Sequence, residues 1–286
     1  MHSLELPGSL VNADWLYDHI DHSQLVLFDA SWHMPATQRV AREEWCKQQI
    51  SNARYFDFDQ AICAPDSELP HMMPDAARFT TEVQKLGLNQ DSVVVVYDTL
   101  GLFSSPRVWW MLRAMGFESC AILDGGLPAW KKAGYPLSNE TEASPVRPGN
   151  FVAATVANRF CDVNVVLDAI NDQSVTILDA RSGERFRGEV EEPRPGLKKG
   201  HIPGASNLPF PNLVSEGILK PESELKTIFR ELIPQGNHTI CSCGSGITAC
   251  VIAFGAHMAG HHNVSVYDGS WCEWGQPGDL PVVCGG

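Results

Sequence analysis

The stretch Cys241-Ser242-Cys243-Gly244-Ser245-Gly246-Ile247-Thr248-Ala249-Cys250 carries the most chemistry per residue in the chain. A β-branched run precedes it, and an apolar helical pattern from Ile247 to about Ala259 follows it. A tight loop between strand and helix turns backbone N–H groups inward at the positive end of a helix dipole, which favours an anion there. Gly244 and Gly246 are expected to supply the left-handed backbone that a loop curling around one atom needs. A sulfur at position 243 would then have its thiolate, the attacking form, stabilised. Cys241, inside the strand, and Cys250, on the helix, read instead as buried structural thiols. No Cys or His pair at zinc-finger spacing follows the loop, so no metal and no organic cofactor is expected, and His261-His262 reads as a solvated turn. Phosphatase chemistry would need an arginine closing a C-x5-R loop, and the sixth residue after Cys243 is Ala249.

The elements that must position this loop occur twice. Leu25-Val26-Leu27-Phe28-Asp29-Ala30 resembles Val175-Thr176-Ile177-Leu178-Asp179-Ala180, and Val93-Val94-Val95-Val96-Tyr97-Asp98 answers to His238-Thr239-Ile240-Cys241-Ser242-Cys243. Gln49-Ile50-Ser51-Asn52-Ala53 answers to His201-Ile202-Pro203-Gly204-Ala205, and Asp124-Gly125-Gly126-Leu127 to Asp268-Gly269-Ser270-Trp271. Four blocks in the same order with slowly drifting offsets mark a duplication. Candidate strands fall at 25–29, 93–97, 119–123, 175–179, 238–242 and 264–267; candidate helices at 12–20, 76–86, 106–116, 162–171, 222–231 and 247–259. Such alternation predicts an α/β fold of tandem duplicated domains, each a mostly parallel sheet flanked by helices on both faces. The expected domains are 1–140 and 159–286, joined by a Pro- and Gly-containing linker at 141–158.

Composition narrows the function classes. The formal net charge of -13 opposes nonspecific binding to nucleic acid or anionic membranes. Nine cysteines without a regular framework read as reduced thiols. The opening residues show neither a basic n-region nor an apolar h-region, and no run reaches the about 20 apolar residues of a membrane span, so cytoplasmic residence is expected.

Cys243-Gly244-Ser245-Gly246-Ile247-Thr248 is similar to the C-G-S-G-V-T loop of 3-mercaptopyruvate sulfurtransferases in the rhodanese superfamily, with Ile in place of Val. Thiosulfate-preferring rhodaneses carry a basic C-R-K-G-V-T loop instead. Two loop cations suit a small dianion, whereas a neutral loop suits a keto-acid whose carboxylate is held elsewhere. The resemblance extends over the whole chain, including Gly200-His201-Ile202-Pro203-Gly204-Ala205 and Tyr267-Asp268-Gly269-Ser270-Trp271. It implies one active site per chain, because Asp98 stands where the duplicate has Cys243.

The resemblance also assigns roles. Cys243 becomes the persulfide carrier, with Gly244, Gly246, Ile247 and Thr248 lining the donor. Arg185, in Arg185-Phe186, and Arg194, in Glu192-Pro193-Arg194, match family positions that grip the substrate's carboxylate and keto oxygen, a task suited to a planar fork. His71 and Asp59, with Asp57 as the alternative acid, would form with Ser245 a Ser-His-Asp-like relay. Arg107 is a further cleft-lining possibility, while Arg181, Arg187, Lys198 and Lys199 read as structural or solvated charges. The implied reaction moves sulfur from 3-mercaptopyruvate to a thiol such as thioredoxin or glutathione, or to cyanide. Thiosulfate is the alternative donor, and a noncatalytic sulfur-relay adaptor is the rival from another class.

Overall fold

The structure, a computed structural model, describes residues 3–139 and 146–285. The chain forms two compact units. The first comprises residues up to Pro65, Met73–Val156 and Glu216–Leu219; the second comprises Asp66–Met72, Ala157–Ser215 and Lys220 onward. Of the expected linker, 141–145 lie outside the described residues. Its later part is fastened to the first unit, with Gly149 N–H donating to Gln84 O (2.8 Å), Phe151 N–H to Leu88 O (3.1 Å) and Val156 N–H to Ala114 O (2.8 Å).

In the first unit the elements run β1 (Leu10–Val11), α1 (Ala13–His19), β2 (Leu25–Asp29), α2 (Ala41–Lys47), β3 (Arg54–Tyr55), α3 (Ala76–Lys85), β4 (Val93–Tyr97), α4 (Ser105–Ala114), β5 (Cys120–Leu123) and α5 (Gly126–Lys132). The second repeats the plan with β6 (Phe160–Cys161), α6 (Val163–Ala169), β7 (Val175–Asp179), α7 (Gly183–Arg187) and β8 (Ser206–Asn207). Two-residue strands β9 (Val214–Ser215) and β10 (Ile218–Leu219) follow. Then come α8 (Glu222–Leu232), β11 (His238–Ser242), α9 (Thr248–Met258), β12 (Val264–Tyr267) and α10 (Ser270–Trp274). The sheet orders correspond: β1-β5-β4-β2-β3 and β6-β12-β11-β7-β8, all parallel. The expected tandem α/β architecture is what the chain forms.

Local sequence explains these elements. Strand β4, VVVVY, is buried along its whole length, as a central parallel strand covered on both faces must be. Asn12, Asp75 and Asp162 cap α1, α3 and α6 through their side chains, satisfying N–H groups that helix starts leave open. Pro106 sits in the first turn of α4, where its missing N–H costs nothing. Helix α9 is apolar all round and buried over eight consecutive residues, Ala249–Ala256, so its start is a firmly anchored platform for the cysteine loop. No helix among the described residues is long and apolar enough to cross a membrane.

Candidate active site

Strand β11 pairs with β7 on one side and β12 on the other, and it delivers Cys243 just past its C-terminal end, where open parallel sheets place their ligand sites. Cys243 is buried, at 2% exposure. Its N–H donates to Ser270 Oγ (3.1 Å), and that hydroxyl donates to Tyr267 O (2.8 Å). Two further bonds lace the loop to the start of α10: Trp271 N–H to Cys243 O (2.9 Å) and Cys272 N–H to Gly244 O (2.8 Å). Ser245 and Ile247 are buried in the same loop, and Thr248 opens α9.

One of the two loop glycines departs from expectation. Gly246 has φ +76°, the left-handed backbone that favours glycine, whereas Gly244 does not adopt positive φ. Glycine at 244 makes room instead: a Cβ there would lie 3.2 Å from Arg185 Nη2. The guanidinium therefore lies against the loop residue that follows the cysteine. Cys241 and Cys250 are fully buried, and Cys250 Sγ donates to Gly246 O (3.2 Å), consistent with structural thiols.

Behind Arg185 stands a chain of alternating charges. Asp179, at the end of β7, receives Arg181 Nε (3.0 Å) and Nη2 (2.6 Å). Arg181 Nη1 donates to Glu192 Oε1 (2.8 Å), and Arg185 donates through Nη2 and Nε to the same Glu192 carboxylate. Burial works against the charge of Arg181, and Asp179 and Glu192 more than offset it, so its proton is held more tightly than usual. Arg181 also lies 4.0 Å over the Trp271 ring. Arg181 thus has the structural role expected of it, and Arg187 and Lys199 pair with Glu189 and Glu191 near the surface. Arg194 is half-buried. Burial pushes the Cys272 thiol up to about 11, with Arg194 and then Arg185 opposing the rise and Cys243 and Glu192 adding to it. Cys272 N–H bonded to Gly244 O and the Arg185 guanidinium against Gly244 gather these two residues at the loop.

His71 is buried, has φ +62° and belongs to the segment that groups with the second unit. Asp59 groups with the first unit, where its carboxylate accepts Gln60 Nε2 (3.0 Å). Asp57 caps the same turn, accepting the N–H groups of Asp59 (3.3 Å) and Gln60 (2.9 Å). Arg107 is fully buried within α4 of the first unit. Sequence reasoning missed Glu192 as an orienting group, Ser270 as a loop fastener and Cys272 as a neighbour. Glu192 lay inside the Glu-Pro-Arg motif, and the other two inside the repeated Asp-Gly-Ser-Trp block.

The first unit contains the same loop with a different occupant. Asp98 follows β4 and is 1% exposed. Its Oδ2 accepts the N–H groups of Phe103 (2.9 Å), Ser104 (3.0 Å) and Ser105 (2.8 Å) and the Ser105 hydroxyl (2.7 Å), and its Oδ1 accepts Leu100 N–H (2.8 Å). Leu127 N–H donates to Asp98 O (3.0 Å), as Trp271 N–H does to Cys243 O. Asp98 lies seven residues before the start of α4 at Ser105, Cys243 five before the start of α9 at Thr248.

The chain matches the rhodanese-like domain family over residues 12–133 and 162–277. It is 42% identical to the 3-mercaptopyruvate sulfurtransferase of Escherichia coli K12, covering 95% of this chain and 96% of that one. It is 38% identical to the human 3-mercaptopyruvate sulfurtransferase, covering 96% and 94%. Its structure is similar to the crystal structure of SseA, a 3-mercaptopyruvate sulfotransferase from Escherichia coli, with a TM-score of 0.83 and 40% identity over 92% of this chain and 98% of that one.

Proposed function

The chain belongs to the rhodanese-like family, and on that basis we propose that it is a 3-mercaptopyruvate sulfurtransferase working through a persulfide on Cys243. The observation that carries this reading is the buried Cys243 loop with the Arg185 guanidinium set against Gly244. A nucleophilic sulfur and a carboxylate-binding fork then stand within one small-molecule length of each other. Thiosulfate remains the alternative donor, disfavoured by a loop whose residues 244–248 carry no cation. Catalysis belongs to the half spanning 159–286, with the 1–140 half lacking a nucleophile and 141–158 joining them.

In the reaction, the Cys243 thiolate attacks the sulfur of 3-mercaptopyruvate. The new S–S bond forms as the donor's C–S bond breaks, and the electron pair departs with carbon as the enolate of pyruvate, which takes a proton from solvent. Arg185 and Arg194 hold the donor's carboxylate and keto oxygen and stabilise the enolate as it develops. Glu192 and Arg181 keep Arg185 aimed, since both bonds from Arg185 to Glu192 fix the plane of its fork. Gly244, Gly246, Ile247 and Thr248 shape the floor beneath the donor. His71 and Ser245 move protons at the substrate thiol, and Asp59 enters this relay on the family resemblance alone. The outer sulfur then passes to a thiolate acceptor, thioredoxin or glutathione, or to cyanide. Nine cysteines without a regular framework suit a reducing compartment such as the cytoplasm.

Mass spectrometry after brief, separate exposure to 3-mercaptopyruvate and thiosulfate tests the proposal. A gain of about 32 Da on Cys243, mainly with 3-mercaptopyruvate, is expected. Equal or greater loading from thiosulfate moves the donor assignment, and no loading from either donor leaves the adaptor reading in its place.

A further inference from the structure

Cys272 has no part in the mechanism above, yet it is fastened to the same loop as Cys243. The paired bonds Trp271 N–H to Cys243 O (2.9 Å) and Cys272 N–H to Gly244 O (2.8 Å) run the two segments side by side. Trp271 and Cys272 belong to the first turn of α10, so these bonds pin the start of that helix onto the backbone of the cysteine loop. Cys243 and Cys272 are diagonal neighbours across that pair, and a disulfide needs about 4.4–6.8 Å between Cα atoms. Both thiols are buried, at 2% and 4% exposure, so they share one interior rather than facing bulk solvent. Cys272 N–H and the Arg185 guanidinium both meet Gly244, so the second cysteine adjoins the donor's carboxylate clamp.

We propose that Cys272 is a resolving thiol, which ends the life of an undischarged Cys243 persulfide by forming a Cys243–Cys272 disulfide and releasing sulfide. This rests on the persulfide reading above. The Cys272 sulfur attacks the inner sulfur, Cys243 Sγ. A bond forms between the two cysteine sulfurs as the bond from Cys243 Sγ to the outer sulfur breaks. The outer sulfur leaves as hydrosulfide with the electron pair of that bond, taking up the proton Cys272 gives up. The two cysteines are oxidised to the disulfide and the sulfane sulfur is reduced to sulfide, so no outside oxidant is required. An external dithiol reduces the disulfide and returns the enzyme to its starting state.

The surroundings of Cys272 set the pace. Burial pushes its thiol up to about 11, so the attacking thiolate is a minor form near pH 7. External thiolates therefore take the sulfur first whenever they are present, and resolution takes over when they are absent. The device yields one sulfide and a reversibly silenced enzyme, in place of a persulfide left open to further oxidation.

The test loads the full chain with 3-mercaptopyruvate, removes the donor and follows it without acceptor. Wild type is expected to release close to one sulfide per loaded chain while a Cys243–Cys272 linked peptide accumulates, and dithiothreitol is expected to restore activity. Cys272→Ser is expected to load the same 32 Da and retain it. Equal sulfide release from Cys272→Ser, or release without the linked peptide, overturns the inference; so does transfer of the 32 Da to Cys272, which would make that residue a relay. Diamide treatment of the unloaded protein provides an independent arm. If no sulfur loads at all, the sulfurtransferase reading has failed, and the thiol pair is judged by whether diamide links Cys243 to Cys272. Absence of that link overturns the pairing whatever the enzyme's activity.

Discussion

Asp98 and Cys243 occupy one position in two copies of one loop, and the two copies show what such a loop is for. In the first unit a carboxylate is fixed by five donors within its own loop, four of them on a single oxygen. In the second unit the side chain is a thiol, and besides the Trp271 bond that Leu127 matches in the first unit, Ser270 and Cys272 hold Cys243 N–H and Gly244 O. The backbone frame recurs in detail. Ala30 N–H donates to Tyr97 O and Ala180 N–H to Ser242 O, each at 2.8 Å. Phe56 N–H donates to Asp29 O and Leu208 N–H to Asp179 O, at 2.8 and 2.9 Å. A frame that gathers N–H groups around an anion can be closed by its own carboxylate, and then it serves stability. With a sulfur there instead, the frame serves chemistry.

The largest expected effect separates the two roles. Cys243→Ser should lower turnover by about 10^3-fold or more while the thermal midpoint moves by no more than about 2–4 °C. Retained activity would remove the nucleophile from the second loop and collapse the contrast. Asp98→Ala should do the reverse. Removing a buried charge and stranding its donors is expected to cost about 3–5 kcal/mol, read by urea unfolding. An unfolding curve that matches wild type would show that the first loop does not depend on its carboxylate.

A second contrast lies at the end of the neighbouring strand, where Asp29 and Asp179 correspond. Asp179 has Arg181 beside it; Asp29 has Ser31, whose N–H donates to its Oδ1 (2.8 Å). Burial without a cation raises the Asp29 carboxyl to about 6, only partly countered by Ser31. The folded chain therefore holds this proton more tightly than the unfolded chain, whose carboxyl titrates near 3.8. Its contribution to stability falls as pH rises from about 4 to about 6 and is level above that. The difference is on the order of 2–3 kcal/mol at about 1.4 kcal/mol per pH unit. Asp29→Asn should remove that slope, seen as the difference between wild-type and variant unfolding free energies at pH 4 and pH 7. Parallel curves would place the titration elsewhere.

The smallest effect concerns the charge chain of the second unit. Glu192→Gln keeps the shape but weakens the hold on Arg185. It is expected to raise KM for 3-mercaptopyruvate by about 10-fold, about 1.4 kcal/mol, with a lesser fall in kcat. An unchanged KM would show that Arg185 needs no orienting carboxylate.

Much of this was legible in the sequence, for physical reasons. Central strands β2, β4, β7, β11 and β12 are continuous β-branched or apolar runs, and their expected bounds coincide with the observed ones. The edge strands β1, β3, β6 and β8 are two residues each, too short to show any period, and they form only because a neighbour offers a ladder. Helices α2, α5, α7 and α10 span five to seven residues and were not anticipated, whereas the equally short α1 and α6 start on the capping side chains Asn12 and Asp162. Within the candidate site, the strand–loop–helix setting of Cys243 was readable from residue type and spacing, whereas the arginine pair was read only from spacing together with family likeness. Glu192 entered the sequence reading only as a member of the Glu-Pro-Arg motif, and the fold reveals it buried between two guanidiniums. Gly244 read as a backbone device, yet its function is spatial, which spacing alone does not encode.

Trp271 gives the second loop an optical handle. Its backbone holds Cys243, its indole N–H donates to Lys198 O (3.0 Å), and the Arg181 guanidinium lies on its ring. An indole's emission energy follows the field across its ring, and this ring carries a cation on its face while its own backbone N–H holds the residue whose sulfur changes during turnover. Intrinsic fluorescence therefore offers a label-free signal of whether the loop carries sulfur, with Trp271→Phe as the matched blank.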